Sequence, residues 1–288
     1  MSKPLPTREL KWLNEEELED WMSFSCILEV DLEYPKSLHD LHNDYPLATE
    51  RVTVNKVDKL IPNLRNKKKY VVHNENLKLY ERLGLKITKI HRGIQFEESA
   101  WLKKYIDLNT KLKTEAKNNF EKDFFKLINN SIFGKTIENL ENRVDIKLVE
   151  YNEKARTLAA KPNYDHCGIF DEYLVAIIHM TKTKIYYNKP VYLGMCILDL
   201  SKTVMCNFHY NYMKPKYGSE AKQLYTDTDS YIYEIGTEDC YRDIAGNLET
   251  WFDTSKFDAS HPSGIQTGVN NWYDERRSGW KIIQSLSV

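Results

Sequence analysis

Tyr225-Thr226-Asp227-Thr228-Asp229-Ser230 lies between two runs that read as strands, residues 222–226 and Tyr231-Ile232-Tyr233-Glu234-Ile235. The stretch is read as a hairpin tip carrying two carboxylates one residue apart. Two acids on a tight, rigid turn suit a divalent cation. Magnesium takes one or two protein carboxylates and leaves its other positions to water and substrate phosphates, which fits nucleotidyl transfer. From the hexapeptide alone, an ordinary polar turn and a glycosyltransferase-type Asp-x-Asp site read the same way.

A second stretch, residues 120–139, has helical periodicity. At about 100° per residue, Lys122, Lys126, Asn130 and Phe133 fall on one face. Phe124, Phe125, Leu127, Ile128 and Ile132 fall on the other side and are expected to pack inward. The first face stacks a cation, an amide and an aromatic ring along the helix. That set suits a nucleoside triphosphate, with ammonium to phosphate, amide to sugar or backbone, and ring against sugar or base. Gly134 leaves room for another chain to approach. A solvated Lys/Asn face gives the same pattern.

Taken together, Lys126-x-x-x-Asn130-Ser131-x-Phe133-Gly134 and, about 90 residues later, Tyr225-x-Asp227-Thr228-Asp229-Ser230 resemble motifs B and C of family B DNA polymerases. The surrounding text is similar to the protein-primed branch found in viruses, linear plasmids and Maverick/Polinton transposons. It includes Val30-Asp31-Leu32-Glu33-Tyr34-Pro35, the run from Leu38-His39-Asp40-Leu41-His42 to Tyr45-Pro46-Leu47-Ala48, and Lys89-Ile90-His91-Arg92. The resemblance implies a DNA-directed DNA polymerase active in DNA replication. It implies Asp227 and Asp229 as catalytic metal ligands for Mg²⁺, and a nucleotide site of Lys126, Asn130, Ser131, Phe133, Gly134 and Tyr225. The implied partners are a DNA primer-template, dNTPs and a terminal priming protein, with no membrane.

The family's motif A aspartate has no counterpart here. Asp31-Leu32-Glu33-Tyr34-Pro35 is similar to it, but the spacing is too short and Ser-Leu is missing before Tyr34. Met1-Ser2-Lys3-Pro4-Leu5-Pro6 resembles text that follows motif A, and residues 263–288 lack the Lys-rich motif and thumb of relatives. The chain is therefore expected to be a palm and fingers fragment. A catalytically inactive relic that binds DNA or nucleotide is the alternative.

Hydrophobic residues make up 41% and charged residues 29% of the 288, an ordinary globular composition. No apolar run is read as long enough to span a bilayer, and no secretory signal is present. The five cysteines lack Cys-x-x-Cys spacing. They read as reduced core thiols of an intracellular protein, nuclear or cytoplasmic. The net charge of −1 conceals segments of −8 (residues 1–50), +10 (51–117) and −3 (118–288). The +10 segment, with Tyr70, Tyr80, Trp101 and Tyr105 interleaved, suits a nucleic-acid backbone or a solvated basic face. Lys67-Lys68-Lys69 is expected in an exposed loop. His39-x-x-His42 with Asp40 and Asp44 can be read as a metal site, but no second ligand pair has zinc spacing.

The pattern predicts an α+β fold, a mainly antiparallel palm sheet backed by helices with a two-helix fingers projection. Helices are expected over 15–21, 74–83, 98–117, 120–133, 152–160, 191–210 and 237–248. The 191–210 helix should back the sheet, with the 224–234 hairpin at its centre. The divisions expected are 1–97, an N-terminal palm portion with a basic priming-type insertion at about 51–83; 98–140, the fingers pair with motif B; 141–262, palm with motif C; and 263–288, a divergent tail.

Overall fold

The computed structural model describes residues 1–150, 152–171, 175–227, 230–247, 251–252 and 265. Asp229, Thr228 and, apart from Ile265, the 263–288 tail lie outside the described residues.

The body is a four-stranded antiparallel sheet built from β1 (Leu5–Trp12), β2 (Cys26–Glu33), β5 (Lys67–His73) and β6 (Lys86–Ser99), in the order β1-β6-β2-β5. Strand β2 alternates, and Leu28, Val30 and Leu32 are buried, as a sheet with one covered face requires. Helix α1 (Glu15–Glu19) begins in a capping box, with Asn14 and Glu17 bonded to each other's backbone N–H. Between β2 and β5, β3 (Glu50–Val54) and β4 (Val57–Ile61) form a separate hairpin. Its turn residues Asn55 and Lys56 both have positive φ, the conformation that two-residue turns need to match strand twist. Helix α2 (Asn74–Arg82) is stopped at Gly84, where φ is +101°.

Helices α3 (Lys103–Glu115) and α4 (Asn119–Thr136) make the expected antiparallel pair, with α4 capped by Asn118. The first of them starts later than residue 98 because β6 runs on to pair Ser99 with Leu5. Beyond them, β7 (Val144–Val149), β8 (Tyr164–Asp171) and β9 (Val175–Thr181) form a three-stranded sheet, order β7-β9-β8, with α5 (Asn152–Ala159) against it. Helix α6 (Val191–Phe208) continues through a π-helical turn, His209–Met213, into α7 (Lys214–Tyr217). The chain then forms β10 (Ala221–Asp227) and β11 (Ser230–Ile235), followed by α8 (Cys240–Ala245).

Helix α6 is the spine. Its buried Asp199 accepts the His73 N–H at 2.9 Å and so ties the helix to the start of α2. Leu193 and Cys196 pack with Leu5, Ile27, Phe96 and Leu102. The helical run Val191–Glu220 is 30 residues, long and apolar enough by composition to cross a bilayer, contrary to the expectation from sequence. Here its inward face carries core contacts. All five cysteines are free, and burial pushes the Cys26 and Cys206 thiols up to about 12.

Two expectations need correction. The motif C hairpin is not at the centre of the large sheet; among the described residues β10 and β11 pair only with each other. Strand β10 is exposed along most of its length, while Tyr231 and Tyr233 of β11 dock on the end of α6. Lys67 is not in an exposed loop. It starts β5, is 2% exposed, and bonds Asn63 and Glu50 at the base of the β3–β4 hairpin. Within the basic 51–83 stretch, β3 pairs with β4, whereas Val72, Leu77, Leu79 and Tyr80 belong to the main core.

Candidate active site

Helix α4 presents the motif B residues. Lys126 and Asn130 line one open groove of about 450 Å³ together with Phe120, Asp123, Phe124 and Leu127. The expectation that Phe124 and Leu127 pack inward is wrong. Phe120 is 79% and Leu127 65% exposed, and Phe124 is exposed beside them. The inward arc is formed by Phe125, Ile128, Asn129, Ile132 and Thr136, partly or fully buried. Asn129 accepts from Asn109 of α3 at 2.9 Å. On the wheel, Leu127 lies about 100° from Lys126, on its flank. The apolar rings thus share the groove with the cation and amide.

Ser131 is exposed and donates its hydroxyl back to the Ile128 carbonyl at 2.8 Å. Phe133 is half-buried, on the same side as Lys126. A Cβ added to Gly134 would meet nothing within 4 Å, so the backbone there stays open to approach.

The other half of the site is the hairpin end. Tyr225 and Asp227 are exposed, and Asp227 pairs with Ser230. The register shifts between Gln223 and Tyr225, a bulge that turns the tip relative to the buried base. The π-turn anchors that base. His209 Nδ1 lies 2.8 Å from the Tyr233 hydroxyl, and its Nε2 lies 3.5 Å from Asp44 Oδ1. Lys214 Nζ is 2.8 Å from the other Asp44 oxygen. The Tyr45 ring meets that of Tyr231 at 5.4 Å, and the Tyr210 hydroxyl donates to the Tyr45 carbonyl. Sequence reading missed this hub. Its only signal was an aromatic run, His209-Tyr210-Asn211-Tyr212, ending an apolar helix.

Helix α6 touches the elements that carry both halves. Near its start, Gly194 lies against Thr136 and Ile137 at the end of α4. Near its end, Met205 and Phe208 pack with Tyr231 and Tyr233. About 21 Å of helix rise separates residues 194 and 208. Lys126 and Asn130 share the α4 groove, and the base of the hairpin, Tyr231 and Tyr233, docks on the end of α6.

The other sequence candidates are structural. Asp31 Oδ1 accepts the Lys69 N–H at 2.7 Å and lies 2.9 Å from His91 Nε2, and these partners hold its carboxyl below the usual range. It therefore ties β2 to both its neighbours. His42 is fully buried with Nδ1 2.8 Å from the Tyr34 hydroxyl, and His39 meets the same ring edge-on. Among the described residues no group of three or more His, Cys, Asp or Glu is arranged to hold a metal ion.

The arrangement is an α+β body that carries a cation-and-amide helix and a hairpin bearing Asp227 on one spine, and the family comparison gives its class as a DNA polymerase. The family model for DNA polymerase type B, organellar and viral, matches residues 1–215, and the chain belongs to that family. Polymerases of this family generally use divalent metals. A structure of Phi29 DNA polymerase complexed with primer-template DNA and incoming nucleotide substrates is similar in fold, with TM-score 0.51, 19% identity and 84% of this chain covered. A second Phi29 DNA polymerase structure, a binary complex with primer-template DNA, aligns at TM-score 0.44 and 16% identity over 84% of this chain. The chain spans 38% of the length of the first and 37% of the second. No curated relative matches the sequence.

Proposed function

We propose that this chain forms the nucleotide-selecting core of a protein-primed, Maverick/Polinton- or virus-like DNA-directed DNA polymerase, adding dNTPs to a primer on a DNA template. The observation that carries the reading is the family match over residues 1–215, with the motif B groove supporting it. Residues 98–140 act as fingers. Residues 1–97 and 141–262 act as palm, and a terminal priming protein is the partner of the basic 51–83 region.

The Lys126 ammonium, exposed in the groove, pairs with triphosphate oxygens in a charge-assisted bond. Asn130 bonds the sugar, and Phe133 and Tyr225 offer rings against the sugar or base. Gly134 lets the template approach, and the Ser131 hydroxyl, turned to its own helix, keeps that face narrow. Asp227 with Asp229 fits Mg²⁺, which accepts one or two carboxylates and completes its shell with water and phosphates. When bound, the metal would screen the charge that develops on the transferring phosphoryl group.

The test is dNTP binding by the purified chain with Mg²⁺, followed by calorimetry. Lys126→Ala should weaken binding by at least tenfold, since a charge-assisted bond contributes about 1.5–3 kcal/mol. Unchanged affinity would remove Lys126 from the site.

A further inference from the structure

The segment between β9 and α6 is mostly exposed and contributes no residue to the core clusters. Tyr186 is 63% and Tyr187 74% exposed. Large aromatic rings in water need a reason, because burying each would be favourable. Each ring has one polar partner and stays largely exposed. The Tyr187 hydroxyl donates to Glu141 at 2.7 Å. The Lys184 ammonium sits 4.9 Å from the Tyr186 ring centroid. A tight turn, Asn188 N–H to the Tyr186 carbonyl at 2.9 Å, fixes the backbone between them.

The surroundings are cationic. Lys182 and Lys184 are exposed on the same segment. Lys189 reaches Glu138 at 3.5 Å, and that carboxylate is already bonded by Arg143 through two nitrogens, at 3.0 and 2.7 Å. Glu138 lies just past the end of α4, so the strip begins where motif B ends.

We propose that Tyr186, Tyr187 and the lysines around them form a binding strip for single-stranded nucleic acid. The rings stack on two bases and Lys182, Lys184 and Lys189 follow the phosphates, the pairing of π-faces and cations that sequence-tolerant single-strand sites use. The rings are held before binding, which lowers the ordering cost. The strip goes beyond the motif B and motif C assignments and uses none of their residues.

The probe is a fluorescein-labelled oligothymidylate of about 15 nucleotides, followed by anisotropy with the full chain. Tyr186→Ala and Tyr187→Ala should each weaken binding by about fivefold or more. Tyr186→Phe should bind nearly as the parent does, and Tyr186→Leu, which keeps bulk without a π-face, should behave as the alanine variant. Lys184→Gln should lower the slope of log affinity against log salt by about 0.7, the single-strand value per phosphate contact. All of these side chains are exposed, and thermal melting confirms that each variant folds. The proposal is overturned if the parent does not bind the oligonucleotide, if the alanine variants bind it as tightly as the parent, or if Tyr186→Ala and Tyr187→Ala weaken binding of heparin or duplex DNA by the same factor. A failed strip with dNTP binding still lost in Lys126→Ala leaves the polymerase reading standing. The converse result leaves the strip alone standing.

Discussion

At the scale of single residues, His209 and His42 are the informative pair. Both are fully buried, and burial pushes both imidazoles down to about 4, with Asp44 opposing the shift in each. The groups facing them are Asp44, Lys214, His39, Tyr34, Tyr45, Tyr210, Tyr231 and Tyr233. A histidine held neutral in the fold but free to protonate near pH 6.5 when unfolded gives stability that is complete above that pH. That stability drains away as pH falls toward 4, because the unfolded chain then binds more protons. A displacement of this size corresponds to about 3 kcal/mol for each histidine. The melting temperature should fall between pH 6.5 and 4, and His209→Gln should flatten that slope while lowering stability at neutral pH. An equally steep slope in His209→Gln would remove His209 as its source. The aromatic run at 209–212 marks only one part of this hub in the sequence. Its members come from residues 42–45, 209–214 and 231–233, and only folding brings them together.

At the scale of elements, what was legible followed local chemistry. Asn14 capping α1 and Gly84 ending α2 each act within a few residues of themselves, so local sequence announces them, whereas Asn118 reads there only as a joint between helices and in the structure caps α4. The inward side of α4 could not be read that way, because the helix is apolar on more than one flank. Which flank is covered depends on α3, which selected Phe125, Asn129 and Ile132 and left Phe124 and Leu127 at the groove. The same dependence on a neighbour governs the α6–α4 crossing. A Cβ at Gly194 would stand 2.2 Å from Ile137 Cγ2 and 2.6 Å from Thr136 Oγ1, both on stiff β-branched side chains. Gly194→Val should therefore destabilise the chain by about 1–3 kcal/mol by overpacking, although valine is the better helix former. Denaturant melts measure the loss. A variant as stable as the parent would mean that α4 can move away freely, and the register between motif B and the spine would then not be fixed.

At the scale of the whole molecule, the fold class and both motif-bearing elements were legible, and the way the hairpin joins the body was not. The hairpin was expected inside the large sheet, but it reaches the body through the π-turn and Tyr45 instead. Its position therefore rests on side-chain packing, with no ladder of backbone hydrogen bonds to a third strand among the described residues. Such an element is held by fewer cooperative contacts and should open more readily than β2 or β6. If motif B and the hairpin serve one nucleotide, a ligand touching both should close that weak junction. Hydrogen exchange on the purified chain can read this by segment. A dNTP alone should slow exchange mainly in α4, and the dNTP with Mg²⁺ should slow it in both α4 and β10–β11. At a ligand concentration near 100 times Kd the added protection is about 2.7 kcal/mol, a roughly hundredfold slowing of the ligand-dependent openings. Asp227→Asn should keep the α4 effect and lose that of the hairpin, because it removes the carboxylate that Mg²⁺ would share with the triphosphate. Protection that never extends to β10–β11 with the dNTP and Mg²⁺ together would mean that the two motifs act separately in this chain, whatever the family resemblance of each.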